Sequence, residues 1–109
     1  MTEKEKKYLS DILIAINLIE SFIAETDSFD QYNSDIKTQS AIERQLGIIG
    51  EAATKYRKEN TEDTLQNIQQ IIGFRNRLVH AYDSIDNSIV WVIIKRYLQP
   101  LKEEIEQLL

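Results

Sequence analysis

Residues 68–82 read IQQIIGFRNRLVHAY, and the spacing of the apolar residues in this stretch predicts an α-helix. On a helical wheel with Arg75 at zero, six apolar or aromatic residues fall within about 60° on either side. These are Ile68, Ile71, Ile72, Leu78, Val79 and Tyr82. Arg75 therefore lies at the centre of the apolar face of a predicted helix of about residues 62–82.

Three other stretches repeat apolar residues at intervals of three and four, which predicts three more helices. They span about residues 3–24, 36–58 and 87–109. The inner face of the last one is predicted to carry Ile89, Val90, Ile93, Tyr97, Leu101, Ile105 and Leu108. Four helices on short connections predict an all-α fold, an up-down antiparallel four-helix bundle.

Local signals mark the ends of these helices. Thr2 and Asp86 are predicted N-caps of the first and last helices, and Thr61 with Thr64 offers caps for the third. Their side-chain oxygens would accept hydrogen bonds from backbone N–H groups that the first helical turn leaves unpaired.

Two segments depart from regular helix. The segment 25–35 is polar around Phe29 and Tyr32, which predicts a loop, with room for one short extra helix anchored by those aromatics. Pro100 lies inside the last predicted helix, and we expect it to kink that helix rather than end it.

Composition restricts the class of protein. A chain of 109 residues with 42% hydrophobic content predicts a single domain, residues 1–109. The chain has no cysteine and one histidine, so we expect no disulfide and no metal site. No apolar run is long enough for a signal peptide or membrane span, which favours a soluble cytoplasmic protein.

Two glycines interrupt the second long helix. Gly47 and Gly50 lie about one turn apart, and each destabilises a helix interior by roughly 1 kcal/mol relative to alanine. Such a pair suggests close approach of another helix or a ligand; simple tolerance of glycine is the equally weighted alternative.

The position of Arg75 needs an explanation, because a guanidinium stays charged and is unfavourable to bury alone. An acidic partner, a water-lined cleft or a bound anion would each satisfy it. On the wheel alone, the more common outcome is structural: a snorkelling side chain, or an ion pair with Glu43, Glu51 or Asp83.

Asn76 and His80 are four residues apart and are neighbours on one flank of the predicted helix. Arg75 and His80 are separated by about 140° and roughly 7.5 Å of rise, so one helix alone does not bring both to one phosphate. Two copies packed about a twofold axis would do so, which predicts a homodimer. His80 lies in the last turn, where a proton donor or an ordinary C-terminal cap would fit.

Three blocks of the sequence are similar to one known family. Residues 74–82, FRNRLVHAY, match the Arg-x-x-x-x-His-x-Tyr signature of HepT-like proteins, and residues 41–52, AIERQLGIIGEA, resemble the second helix of that family. Residues 89–94, IVWVII, followed by a leucine and Pro100, resemble its last helix. Their order and spacing together identify the chain as similar to the HepT family of HEPN-domain toxins.

The resemblance implies a helical HEPN fold, homodimerisation and metal-independent cleavage of RNA, a chemistry that needs no cofactor. The composite site inferred from the helical wheel would lie at the homodimer interface. It also implies a toxin of a type VII-like toxin–antitoxin system, with a minimal nucleotidyltransferase antitoxin (MntA-like) as partner. By analogy, Arg75 would bind the scissile phosphate, His80 would act as general acid or base, and Asn76 would orient His80 or the phosphate. With a net charge of -5, positive potential for RNA must be local.

The resemblance gives Tyr82 a second role, as the tyrosine to which the antitoxin transfers AMP. An added phosphate near Arg75 would occupy the anion site and exclude RNA. A core aromatic with its hydroxyl at the rim is the alternative for Tyr82. Two alternatives remain for the whole chain: a non-catalytic nucleotide-binding or protein-binding partner of a nucleotidyltransferase, and a scaffold bundle without a site.

Overall fold

The structure, a computed structural model, describes residues 1–60, 62, 65–80 and 85–109, with the backbone alone described at residues 79 and 80. Within these ranges the chain forms six helices and no strand. In chain order they are α1 (Glu3–Ile23), α2 (Phe29–Asn33), α3 (Ile36–Glu59), α4 (Gln69–His80), α5 (Asn87–Arg96) and α6 (Leu98–Leu108). The predicted all-α bundle is confirmed.

α3 is the most extensively packed helix, with α1 and α4 as its main neighbours. α6 packs against α1, and α5 packs against α2 and α6. The apolar stripes predicted for the first two long helices form the core. Its fully buried members there include Leu9, Ile12, Ile16 and Ile19 of α1, and Ile42, Leu46, Ile49, Ala53 and Tyr56 of α3.

The described helix ends are capped as expected. The Thr2 hydroxyl accepts from the Glu5 N–H at 3.1 Å, and the Asp86 carboxylate accepts from the Ser88 N–H at 2.8 Å. Both predicted caps are therefore confirmed. Asp35 caps α3 in the same way, accepting from the Thr38 N–H at 3.0 Å. Thr61 and Thr64 lie outside the described residues.

The short extra helix predicted near Phe29 and Tyr32 is α2. Tyr32 is fully buried, and its ring centroid lies 5.7 Å from that of Trp91 in α5. Phe29 contacts the same indole edge-on, with ring centroids 6.3 Å apart. The two aromatics thus fasten α2 to α5, as the sequence suggests for residues in an otherwise polar segment.

The third long helix begins later than predicted, at Gln69 instead of about residue 62. The reason lies in α6, where the Glu104 carboxylate accepts from the backbone N–H groups of Gln66 at 2.7 Å and Asn67 at 3.0 Å. These amides are satisfied by a distant carboxylate and not by a helical turn. Leu65 and Ile68 are nevertheless buried, so this non-helical segment contributes to the core.

The last predicted helix is two helices, because α5 ends at Arg96 and α6 begins at Leu98. Pro100 has no N–H to donate to the carbonyl of Arg96, and its ring would collide with that carbonyl in a continuous helix. The break therefore falls one turn before the proline. Pro100 itself lies in the first turn of α6, where helical N–H groups have no intrahelical partner.

The predicted inner face of the last helix is wrong at one residue, Ile89. Ile89 is 36% exposed, whereas the next residue, Val90, is fully buried. The buried residues of α5 are Val90, Ile93 and Ile94, so its inner stripe starts one residue later than predicted. None of the helices in the described ranges has both the length and the apolar character needed to span a bilayer.

Candidate active site

Arg75, Asn76 and His80 all belong to α4, and His80 is the last of its described residues. The helix starts where the carbonyl of Ile68 accepts from the N–H groups of Ile71 and Ile72, at 3.1 Å and 3.0 Å. Because α4 is continuous from there to His80, helix geometry sets the rotation and the rise between Arg75 and His80. The side chain of His80 and the whole of Tyr82 lie outside the described residues, and their predicted roles stay predictions.

α4 approaches α3 most closely where Arg75 faces Gly50. A Cβ atom added at Gly50 would lie 2.5 Å from Cβ and 2.9 Å from Cγ of Arg75, and 3.3 Å from the carbonyl oxygen of Ile71. No side chain fits at Gly50 without moving α4. The close helix approach suggested by the sequence is therefore found here, and it holds the stem of Arg75 against α3.

Gly47, one turn earlier, is not required in the same way. Its added Cβ would make only an ordinary contact, 3.6 Å from Cδ1 of Leu78. Of the two explanations for the glycine pair, close helix approach thus applies to Gly50 and simple tolerance to Gly47. The two positions provide a matched pair for experiment.

The guanidinium of Arg75 emerges from the α3–α4 contact beside Asn76. Its Nη1 donates to Oδ1 of Asn76 at 3.4 Å, a long hydrogen bond between exposed groups. Arg75 as a whole is half-buried. The side chain thus has a buried stem and an accessible charged head, with Asn76 as its polar neighbour.

Arg75 forms no ion pair with any residue that the structure describes. This excludes the predicted structural pairing with Glu43 or Glu51; Asp83, the third candidate, lies outside the described residues. Glu51 is instead 3.3 Å from the ammonium of Lys55. Among the described residues, the Arg75 guanidinium borders an open cleft, one of the three environments expected for it.

The cleft is an open cavity of about 430 Å³ that runs along one face of α3 beside the C-terminal half of α4. Its walls are formed by Ser40, Glu43, Arg44, Gly47, Ile48 and Glu51 of α3 and by Arg75 and Leu78 of α4. Its volume is in the range of about 300–1,000 Å³ that small-molecule sites occupy. We call it the Arg75 cavity.

Glu43 lines the other end of the Arg75 cavity, and the pKa of its carboxyl is shifted. Partial burial raises the pKa of the Glu43 carboxyl above its ordinary value. Burial, helped by the nearby carboxylates of Glu43 and Asp35, also raises the pKa of the Tyr32 phenol. The Tyr32 hydroxyl is buried and has no hydrogen-bond partner among the described residues. Glu43 is thus a carboxylate in a partly desolvated setting.

Arg77 lies on a different side of α4. It lines a second cavity, of about 440 Å³ between α4 and α5, together with Gly73, Phe74 and Val92. Its charge contributes slightly to lowering the pKa of Asp86, which is held down chiefly by hydrogen bonds from Ser88. Arg77 therefore does not share the Arg75 cavity.

Ser40 and Arg44 are cavity residues that were not predicted from the sequence, and Glu43 was predicted only as a potential ion-pair partner. These residues could have been found from their spacing: positions 40, 43, 44, 47 and 51 follow one face of a helix at intervals of three and four. That face carries polar residues and a glycine. An apolar stripe at the same positions would instead pack against a neighbouring helix and leave no cavity.

Within the described part of the chain, no cluster of three or more histidine, aspartate or glutamate side chains has the arrangement of a metal site. The polar groups of the Arg75 cavity are instead two guanidinium groups, two carboxylates and one hydroxyl.

Comparisons with known proteins give a consistent assignment. A family model described as ribonuclease HepT-like matches residues 12–108. The chain is 35% identical over 114 residues to a Thermococcus cleftensis protein named "Probable ribonuclease HepT", a match covering 99% of this chain and 98% of that protein. It is 31% identical over 103 residues to a Methanocaldococcus jannaschii protein named as a candidate RNase, covering 93% of each.

No solved structure gives a significant match to this chain. The family model, however, covers nearly the whole helical bundle, including α4 and the α3 face that lines the Arg75 cavity. The resemblance seen in the three sequence blocks is thereby confirmed, and the chain is a member of the HepT-like ribonuclease family.

Proposed function

We propose that this chain is a metal-independent endoribonuclease and the toxin of a type VII-like toxin–antitoxin system. The observation that carries the proposal is the guanidinium of Arg75, held in place by Gly50 and directed to an open cavity without an acidic partner among the described residues. Family membership gives this guanidinium a proposed chemistry, because relatives are named as ribonucleases. The proposed location is the cytoplasm, where such a chain would meet RNA.

Arg75 is the proposed phosphate-binding residue. A guanidinium presents several N–H donors in a plane and suits the oxygens of a phosphate, whose negative charge grows in the transition state of cleavage. The hydrogen bond from Nη1 to Asn76 supports an orienting role for Asn76. A residue that limits the rotation of the guanidinium reduces the entropy lost when phosphate binds.

His80 is the proposed proton-transfer residue. In cleavage without metal, the ribose 2′-oxygen attacks phosphorus and the bond from phosphorus to the 5′-oxygen breaks. The proton of the 2′-hydroxyl goes to a general base, and the leaving 5′-oxygen receives a proton from a general acid. An imidazole at the C-terminus of α4 suits either step, because the helix dipole favours its protonated form there.

The site is proposed to be composite. Arg75 and His80 lie five residues apart in one continuous helix, which separates them by about 140° and roughly 7.5 Å of rise. A second copy related by a twofold axis would bring its own His80 toward this Arg75, so a homodimer completes two equivalent sites. The alternative, a non-catalytic nucleotide-binding or protein-binding partner of a nucleotidyltransferase, would need no such pairing.

A metal-free cleavage assay tests the catalytic assignment. Purified protein should cut RNA in the presence of EDTA, and Arg75→Ala or His80→Ala should reduce kcat by about 10²-fold or more. Arg77→Ala is the matched control, since it removes the same charge from α4 on the side away from the Arg75 cavity. Undiminished cutting by the His80 variant would contradict the assignment.

Regulation is proposed to act through Tyr82, seven residues after Arg75 in the sequence. A nucleotidyltransferase antitoxin (MntA-like) would catalyse attack of the tyrosine oxygen on the α-phosphate of ATP, which releases pyrophosphate and leaves AMP on Tyr82. The attached phosphate would compete with RNA for Arg75. Co-expression with a neighbouring nucleotidyltransferase should add the mass of AMP to the wild-type chain and not to Tyr82→Phe; co-purification without an adduct would favour plain complex formation.

A further inference from the structure

The Arg75 cavity has two polar ends separated by an apolar floor. Arg75 marks one end, at the level of Gly50, whereas Glu43 lies seven residues earlier on α3, a distance of roughly 10 Å along the helix axis. Gly47 and Leu78 line the cavity between them, and a Cβ atom added at Gly47 would lie 3.6 Å from Cδ1 of Leu78. This separation is comparable to that between the phosphate and the far edge of the base in one nucleotide.

Glu43 and Arg44 supply opposite charges at the far end. Both line the cavity, Glu43 half-buried and Arg44 exposed, and neither forms a hydrogen bond or ion pair with another described residue. The other carboxylate of the wall, Glu51, is paired with Lys55 at 3.3 Å. Glu43 is therefore the cavity carboxylate that is available to a ligand.

We propose that Glu43 and Arg44 bind a guanine base of the RNA, in the nucleotide whose phosphate is held by Arg75. This proposal rests on the proposed ribonuclease function and adds a sequence preference to it. The apolar floor formed by Gly47, Ile48 and Leu78 would lie under the sugar and base. RNA-binding proteins commonly recognise unstacked bases through their hydrogen-bonding edges in this manner.

Guanine fits this pair of side chains better than the other three bases. Its N1–H and N2–H groups point side by side and can donate to the two oxygens of the Glu43 carboxylate. Its O6 and N7 atoms are acceptors that a guanidinium such as that of Arg44 contacts bidentately. Adenine and cytosine offer a carboxylate one amino group each, and uracil offers its single N3–H between two carbonyl oxygens that the carboxylate would repel.

Mononucleotide binding tests the base site without relying on cleavage. The four nucleoside 3′-monophosphates are titrated into wild type by NMR or calorimetry, and GMP should bind about tenfold or more tightly than UMP. Glu43→Gln should remove that preference and leave the affinity for UMP unchanged. Glu51→Gln, the matched control on the same helix face, should retain it. Equal affinities in wild type, or an unchanged preference in Glu43→Gln, would overturn the proposal.

Mapping the cut sites in a mixed-sequence RNA tests the guanine site separately from the proposed ribonuclease function. Enrichment of guanosine next to the cut in wild type, and its loss in Glu43→Gln with cutting retained, supports both. Cutting without any guanosine enrichment overturns the base site and leaves the ribonuclease standing. A guanine preference in binding with no cutting of RNA sustains the base site and refutes the ribonuclease.

Discussion

α3 meets its two main neighbours in different ways. Against α1 it contributes fully buried aliphatic side chains, such as Leu46 and Ile49, to the core that also contains Leu9 and Ile16. Against α4 it has Gly50 pressed to the stem of Arg75, and beyond that contact the two helices enclose an open cavity. The second contact positions a charge beside an open cavity, in addition to the apolar side chains that α4 buries, such as Ile71.

The α1–α3 contact should show the largest loss of stability on truncation. Ile16 is fully buried, so Ile16→Ala removes apolar contacts and leaves a cavity, and we expect a loss of about 3 kcal/mol in the free energy of unfolding. Ile14→Ala, on the same helix at a residue that is 58% exposed, should change stability by less than about 0.5 kcal/mol. Urea denaturation measures both; equal losses would mean that α1 is not packed as described.

The α3–α4 contact should respond to added volume. Gly50→Ala places a methyl group against Arg75, and we expect a loss of about 2 kcal/mol together with reduced RNA cleavage, because α4 must move. Gly47→Ala has room for its methyl group and should gain up to about 1 kcal/mol from the better helix propensity of alanine. Urea denaturation and the cleavage assay check the pair. Stabilisation by both alanines would refute the close approach.

The segment leading into α4 should depend on one carboxylate. Glu104 accepts from the backbone N–H groups of Gln66 and Asn67 and from the Asn67 side chain at 2.8 Å. Glu104→Gln loses the charge and one acceptor, for an expected cost of about 1 kcal/mol. Thermal unfolding beside Glu103→Gln, an exposed neighbour, provides the comparison. No difference between the two would mean that the hydrogen bonds to Glu104 contribute nothing.

The smallest effect is expected at Glu43 and depends on pH. Because burial raises its pKa, the folded chain holds this proton up to a higher pH than the unfolded chain does. Between the ordinary and the raised pKa, stability therefore falls as pH rises. Glu43→Gln should match wild type in acid and be slightly more stable near neutral pH, as unfolding at several pH values would show. A variant that is less stable at neutral pH would assign Glu43 a structural role.

Much of the fold follows from local sequence. The first two long helices, the caps at Thr2 and Asp86, and the short helix around Phe29 and Tyr32 depend on residues within a few positions of one another. The start of α4 does not, because the carboxylate that replaces its first predicted turns belongs to Glu104, 37 or more residues away. Periodicity alone does not reveal such a partner.

The candidate site was predictable in part for a similar reason. The wheel placed Arg75 mid-stripe, and the glycine pair suggested a close approach, which the Gly50 contact confirms. The register of α3 against α4 decides which of the two glycines lies at the close helix contact. The sequence of either helix alone does not specify that register. The roles of His80 and Tyr82 remain predictions. The far end of the cavity, with Glu43 and Arg44, depends on how α3 and α4 pack together, and the sequence of α3 alone does not show that this face is open.

The composite nature of the site is the central claim, and inter-subunit complementation tests it most directly. Arg75→Ala and His80→Ala chains carrying different tags are co-expressed, and the mixed dimer is isolated through both tags. Each variant alone should be inactive, whereas the mixed dimer should regain about half of the wild-type cleavage rate, because one of its two composite sites is intact. A mixed dimer that forms normally and stays as inactive as its parents would contradict the claim.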